Sequence, residues 1–192
     1  MQLLFSHCDN LKEIDVSKFD TRNVTDMTGI FEDCSSLTSL DISNFDTLKA
    51  ITIGYLFKGF SSLGLIDVSK FNTKNVISMA FTFADCKLLS SLDLSNFVTN
   101  KINNWYGAFS GCNSLRHIDI NTFNTTNVNQ FASMFDICQS LTYLDIAHFD
   151  THNAKSYFYM LNNCHSLKEL KLPKLYRKIF NLFLTFSMGV KA

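Results

Sequence analysis

Six cysteines are the residues of this chain that could most readily bind a metal or form disulfides. They recur at one fixed interval, which is skipped once between the second and the third: Cys8, Cys34, Cys86, Cys112, Cys138 and Cys164. Phe60 takes the skipped position, and the C-x-x-C spacing of zinc sites is absent. A position that accepts either Cys or Phe is typical of a buried apolar slot. We therefore predict reduced thiols in the core and no metal site.

Six aspartates recur at the same interval and form a second set of chemically useful groups. They are Asp15, Asp41, Asp67, Asp93, Asp119 and Asp145. If residues one repeat apart are stacked, these carboxylates stand about 5 Å apart on the solvent side and repel one another. Hydrogen bonds from neighbouring serines and backbone within the local turn could compensate. The other interpretation is a bound cation such as calcium, or polar groups of a ligand, held along the row of oxygens.

The elements that position these residues follow from a tandem repeat. The phrase LTSLDISNFDT begins at Leu37, and close variants of it begin at Leu11, Leu63, Leu89, Leu115 and Leu141. A fixed period between about 20 and 50 residues indicates units that bury their apolar faces only by stacking on their neighbours. We place seven units, which start near residues 5, 31, 57, 83, 109, 135 and 161. This predicts a repeat domain over residues 1–172 and a capping segment over 173–192.

Each unit has two halves with different periods. Leu40 and Ile42 alternate with polar residues, which predicts a short strand with one buried face. Val24, Met27, Ile30 and Phe31 are spaced as on one side of a short helix, and Thr21 or Asn23 could cap its first turn. We therefore predict an α/β solenoid of about seven strand and short-helix coils with a parallel sheet.

The unit consensus is similar to that of a known family. It reads F-x-x-C-x-x-L-x-x-L-D-h-S-x-F-[DN]-T, where h is apolar, and residues 34–47 match it fully. It resembles the leucine-rich repeat family and, more narrowly, the BspA-like class of bacterial surface proteins and a mycoplasma-type domain of unknown function. The resemblance covers about residues 5–172. It implies a right-handed array at the cell surface or secreted, with a role in adhesion. Because Phe replaces the usual Asn of the strand turn, no Asn ladder is expected.

Composition and motifs exclude several functional classes. With 17 basic and 17 acidic residues, the chain lacks the positive field that nucleic-acid binding requires. No nucleophile, P-loop or dinucleotide motif is present, so we expect neither an enzyme nor a cofactor. The first ten residues do not read as a signal peptide. The apolar run 179–190 is too short for a transmembrane segment.

Positions that differ between units are the candidates for binding. On the strand side they include Arg116, His117 and Tyr143, and on the helix side they are Tyr55, Phe81, Tyr106, Phe158 and Tyr159. Exposed aromatic rings are typical of interfaces, although these rings could instead lie over neighbouring units. We predict a noncatalytic scaffold that binds a protein or a glycan, for example on a host surface. The alternative is a structural module that self-associates through its uncapped N-terminal coil.

Overall fold

The structure is a computed structural model that describes residues 1–173. Within these residues, the backbone of each unit lies beside the backbone of the preceding unit. Isolated parallel bridges join Asp26 to Thr52, Thr52 to Ser78, Ser78 to Asn104, Asn104 to Gln130 and Gln130 to Ser156. Equivalent residues of successive units therefore lie side by side, in register, along the described chain.

The predicted α/β solenoid is wrong for these residues. They contain no helix and only two strands, β1 (Tyr143–Asp145) and β2 (Glu169–Lys171). The two strands pair in parallel in one small sheet, with Leu144 opposite Leu170. Coils of strand and helix, and the leucine-rich-repeat-like parallel sheet that would join them, are not formed in residues 1–173. Nor is there in this stretch a helix long and apolar enough to cross a membrane.

Left-handed backbone conformations explain why the predicted helices do not form. Two positions per unit, four residues apart, have positive φ angles. The first set is Leu3, Gly29, Tyr55, Phe81, Gly107, Ser133 and Tyr159. The second set is His7, Asp33, Gly59, Asp85, Gly111, Ile137 and Asn163. An α-helix needs consecutive right-handed residues, so these positions interrupt it. We call the surface formed by residues 26–33 and their equivalents the turn face.

The backbone of the turn face bonds to the next unit instead of to itself. The N–H groups of Met27, Gly29, Phe31 and Asp33 donate to carbonyls of the following unit, at 3.1, 2.9, 3.3 and 2.7 Å. The same pattern recurs along the array, so these donors all point in one direction. Apolar residues spaced as on a helix therefore line stacked turns.

On the opposite side of each unit, the predicted strands pair only near the C-terminal end of the described chain. There Thr142 N–H donates to the Arg116 carbonyl at 3.1 Å, and β1 pairs with β2. The corresponding earlier segments, 12–16, 38–42, 64–68 and 90–94, exchange no backbone hydrogen bonds with one another. We call the surface formed by residues 12–18 and their equivalents the aspartate face.

Two columns of phenylalanines fill the core. Phe31, Phe57, Phe83, Phe109 and Phe135 are fully buried, and Phe45, Phe71, Phe97, Phe123 and Phe149 are 2–4% exposed. In the first column, consecutive rings from Phe57 to Phe135 stack, with centroids 5.6, 5.8 and 5.3 Å apart. At about 25 cal/mol per Å² of apolar surface, each buried ring contributes roughly 2–3 kcal/mol. Phe5 and Phe19 in the first unit are only half-buried.

The cysteine position is a core slot in five of its six occurrences. Cys34, Cys86, Cys112, Cys138 and Cys164 are buried, and each thiol donates to the carbonyl 29 residues earlier at 3.1–3.2 Å. Burial raises the pKa of Cys34 to about 11 and that of Cys164 to about 12. These thiols are therefore protonated and unreactive at neutral pH. The prediction is wrong for Cys8, which is exposed because no described residues stack on its outer side.

The threonine column has a different role from the one predicted. Thr21 does not cap a helix, because no helix follows it. Its hydroxyl donates to the Asp46 carbonyl at 3.1 Å and accepts from the Asp46 N–H at 2.7 Å, and the equivalent threonines do the same. Only the last, Thr151, has a buried hydroxyl with no partner among residues 1–173. The predicted capping segment, 173–192, lies outside the described residues apart from Pro173.

Candidate functional site

The six aspartates line the aspartate face. Five are exposed, and Asp145, the last residue of β1, is half-buried. In each of them, Oδ1 accepts a hydrogen bond from the backbone N–H two residues later, at 2.8–3.1 Å. The prediction of local hydrogen bonding in the turn is thereby confirmed. Among the described residues, no three acidic, histidine or cysteine side chains are grouped as metal ligands.

These hydrogen bonds favour the ionised carboxylates. The hydroxyl and N–H of Ser43 lower the pKa of Asp41, and those of Ser17 do the same for Asp15. The pKa values of Asp67, Asp93 and Asp145 are also lowered, mainly by the backbone N–H two residues later. A carboxylate whose pKa falls on folding adds stability above its ordinary pKa, and that stability is lost as the pH falls through the folded pKa.

We therefore expect Asp41→Asn to reduce the acid sensitivity of the fold. The amide oxygen can still accept the Ser43 N–H bond but does not titrate, so the variant should lose less stability than wild type between about pH 5 and pH 2. Urea unfolding at a series of pH values measures this. Glu13→Gln is the matched control, because this exposed carboxylate on the same face makes no hydrogen bond within residues 1–173. Equal pH slopes for Asp41→Asn and wild type would contradict the prediction.

Cavities open on the aspartate face where the backbones of adjacent units are not paired. A shallow groove of about 520 Å³ lies between Glu13, Ile14 and Asp15 of one unit and Ser39, Leu40 and Asp41 of the next. A smaller cavity of about 80 Å³ lies between Asp93 and Asp119, farther along the face.

Asparagine side chains close part of this face in two units, a role that was not predicted from the sequence. The Asn44 amide nitrogen donates to the carbonyls of Val16, Ser17 and Phe19 in the preceding unit, at 3.0, 3.2 and 3.3 Å. Two units later, the Asn96 amide makes the equivalent contacts with the carbonyls of its own preceding unit. These two asparagines lie next to the strand-turn position that Phe occupies, and they are two units apart, so they do not form an Asn ladder. The signal was the asparagine immediately before the core phenylalanine.

Three of the candidate strand-side residues lie near the C-terminal end of the aspartate face. Arg116 and His117 are exposed, and the His117 ring lies 5.9 Å from that of Tyr143 in β1. The Tyr143 hydroxyl lies 3.3 Å from Asp145 Oδ2. Lys171 Nζ lies 3.5 Å from the same oxygen and 5.4 Å from the Tyr143 ring. The structure thus joins His117, Tyr143, Asp145 and Lys171 in one polar and aromatic cluster.

The five aromatic candidates form two clusters on the turn face. The Phe81 ring lies 5.0 Å from Tyr55 and 4.7 Å from Tyr106, between centroids. Phe158 and Tyr159 form the second cluster, 4.2 Å apart. Tyr106, Phe158 and Tyr159 are exposed, whereas Tyr55 and Phe81 are half-buried. Phe81 also lies over the next unit, where a Cβ on Gly107 would come within 2.4 Å of its ring.

Three of these rings are attached to left-handed backbone. Tyr55, Phe81 and Tyr159 have φ angles of 59°, 55° and 58°. Glycine, which adopts this conformation freely, holds the equivalent position at Gly29 and Gly107. The recurrence of glycine at this position was the available sequence signal for left-handed geometry.

Comparison with known proteins gives one family. The family described as Mycoplasma protein of unknown function, DUF285, matches residues 1–117 and again residues 82–175. The two matched stretches overlap over residues 82–117, as a repeated unit allows. No curated protein and no solved structure matches the chain.

Proposed function

The chain belongs to the family described as Mycoplasma protein of unknown function, DUF285, and we propose that it is a noncatalytic binding scaffold. It recognises a protein or a glycan through exposed side chains that differ from unit to unit. The finer resemblance to BspA-like leucine-rich repeat surface proteins rests on the repeat residues alone. From it we infer a location at the cell surface or outside the cell, and a role in adhesion.

One observation carries this proposal: large aromatic side chains at left-handed positions of the turn face. For a residue with a Cβ this conformation costs about 1–2 kcal/mol, which glycine avoids. Tyr159 is 52% exposed, so burial offsets little of that cost. Strained residues without a stabilising reason are typical of functional sites, and tyrosine is enriched where proteins bind partners. Selection for stability alone would favour glycine at Tyr159.

We expect Tyr55→Gly combined with Tyr159→Gly to separate binding from stability. The double variant relaxes two strained residues and removes one ring from each cluster. Retention on a panel of immobilised glycans and animal extracellular-matrix proteins should fall by about tenfold or more relative to wild type, because an aromatic anchor is commonly worth at least about 1–2 kcal/mol. Thermal unfolding should change little.

Ser133→Gly is the matched control for backbone strain. Ser133 has a φ angle of 55° at the same position but carries no ring. This variant should gain up to about 1 kcal/mol of stability and keep full retention on the same panel. If the double variant is retained as well as wild type, the aromatic rings of the turn face are not the binding surface.

The alternative function, a structural module that self-associates through its N-terminal coil, is favoured by a different observation at the first unit. The carbonyls of Gln2, Leu4 and Ser6 accept no hydrogen bond from residues 1–173, whereas the equivalent carbonyls of Thr28, Ile30 and Glu32 each accept an N–H from the unit before. A further unit with the same donors would satisfy these carbonyls. That unit could be supplied by another copy of the chain or by a preceding segment.

A further inference from the structure

Three backbone carbonyls converge on a single nitrogen at two places on the aspartate face. Asn44 Nδ2 lies within 3.3 Å of the carbonyl oxygens of Val16, Ser17 and Phe19. Asn96 Nδ2 lies at 3.2, 3.2 and 2.8 Å from the carbonyls of Val68, Ser69 and Phe71. The repeat thus builds a set of three acceptors in one unit and fills it with a side chain of the next. We call this set the carbonyl triad.

In the next unit, the carbonyl triad has no such side chain. Leu94, Ser95 and Phe97 are the equivalents of Val68, Ser69 and Phe71, and Thr122 takes the position of Asn96. The Thr122 side chain is exposed, and no side chain in residues 1–173 donates to these three carbonyls. The cavity of about 80 Å³ lies beside two members of this triad, Leu94 and Ser95, and Phe97 does not line it; the other lining residues are Leu92, Asp93, Asp119 and Thr122. Threonine is too short to fill the space that asparagine occupies in the other units.

The number of acceptors shows which group fits best. Leu94 and Ser95 offer two carbonyl acceptors at this cavity; a primary ammonium has three donors and can bond both carbonyls and a further acceptor, whereas a side-chain amide has only two donors. Two carboxylates also line the cavity. In Asp93 and Asp119, Oδ1 accepts the N–H of Ser95 or Asn121, which leaves Oδ2 for a cationic donor. Hydrogen bonds between an ammonium and carboxylates are about twice as strong as neutral ones.

The size of the cavity agrees with an ammonium head group. A water molecule occupies about 30 Å³ in the liquid, so this cavity holds an ammonium and one or two waters, with the alkyl chain directed outward. We propose that the cavity between Asp93 and Asp119 binds a primary ammonium group, presented either by a lysine side chain of a partner protein or by a free alkylamine. This site is separate from the aromatic clusters, so it does not depend on the binding function proposed for them.

Amide shifts of the ¹⁵N-labelled full chain test this proposal. The probe is Nα-acetyl-lysine methylamide, and the matched control ligand is Nα-acetyl-norleucine methylamide, which has the same length of alkyl chain without the ammonium. We expect saturable shifts at Ser95, Phe97 and Asn121 with the lysine compound only. n-Butylamine distinguishes the two sources: equal binding indicates any primary amine, and weaker binding indicates lysine in a peptide. Either result supports the ammonium site.

Exchanging the residues that different units carry at this position gives two test variants. Thr122→Asn should fill the triad as Asn44 and Asn96 do, and should weaken lysine binding by about tenfold or more with the fold unchanged. Asn96→Thr should open a further cavity over Val68, Ser69 and Phe71 and add one lysine-binding site. Equal shifts with the norleucine compound, or unchanged binding by Thr122→Asn, would overturn the proposal. Shifts at these amides with calcium chloride but not with the lysine compound would also overturn it, and would assign the site to a metal.

Discussion

Replacing Phe109 by alanine should lower the free energy of unfolding by about 3–5 kcal/mol. The ring is completely buried, and it stacks between Phe83 at 5.8 Å and Phe135 at 5.3 Å, with interplanar angles of 2° and 12°. Its removal therefore leaves a cavity that opens onto two unit interfaces. Urea denaturation followed by the fluorescence of Trp105, whose ring lies 6.2 Å from Phe109, measures the change directly.

Two further variants define what this loss means. Leu65→Ala removes an apolar side chain that is 69% exposed and should change stability by no more than about 0.5 kcal/mol. Phe109→Leu keeps most of the buried volume and should be less destabilising than Phe109→Ala. A loss below about 1 kcal/mol for Phe109→Ala would show that the aromatic column does not hold neighbouring units together.

Thr125→Val should lower the free energy of unfolding by about 2–3 kcal/mol without changing the shape of the side chain. The Thr125 hydroxyl donates to the Asp150 carbonyl at 3.0 Å and accepts from the Asp150 N–H at 2.7 Å. Valine breaks both bonds at once, and two backbone groups of the half-buried Asp150 lose their partner. The same urea experiment measures this effect.

The same column provides both controls. Thr125→Ser keeps the hydroxyl and should retain most of the stability. In Thr151→Val the replaced hydroxyl is buried and has no partner within residues 1–173, so this substitution should be neutral or stabilising. If Thr125→Val and Thr151→Val have the same effect, the hydroxyl bonds between units contribute nothing, and only the methyl packing of threonine matters.

The constant interval between repeats was enough to predict which side chains contact one another, but not the path of the backbone between them. Phenylalanines and cysteines at a constant position must meet their equivalents, and the structure places them so. The spacing of Val24, Met27, Ile30 and Phe31 fits a helix, but it fits stacked turns equally well, because both bury every third or fourth residue. Gly29 and Gly107, at a left-handed position, were the sign that distinguishes the two.

The candidate site was likewise only partly predictable from the sequence. The exposure of Asp41 and its equivalents was predictable, because a charged side chain beside a buried Ile or Val must face solvent. The convergence of the Val16, Ser17 and Phe19 carbonyls was not, because every residue has a carbonyl and only the backbone path brings three of them together. Asn44 and Asn96 become informative only once that path is known. The aromatic clusters were visible in the sequence, whereas the left-handed conformation of Tyr55 and Tyr159 was not.

The one-way row of N–H donors on the turn face has an evolutionary consequence. Every unit presents the same N–H donors to the following unit and the same carbonyl acceptors to the preceding one. A deletion or duplication of one whole repeat therefore joins surfaces that already match. Unequal crossing-over between repeats of the gene can therefore change the length of the array in steps of one complete repeat without creating a new kind of junction. A deletion one codon longer or shorter than a whole repeat would instead misalign the donors and acceptors at that junction, so selection should leave lineages that differ by complete units.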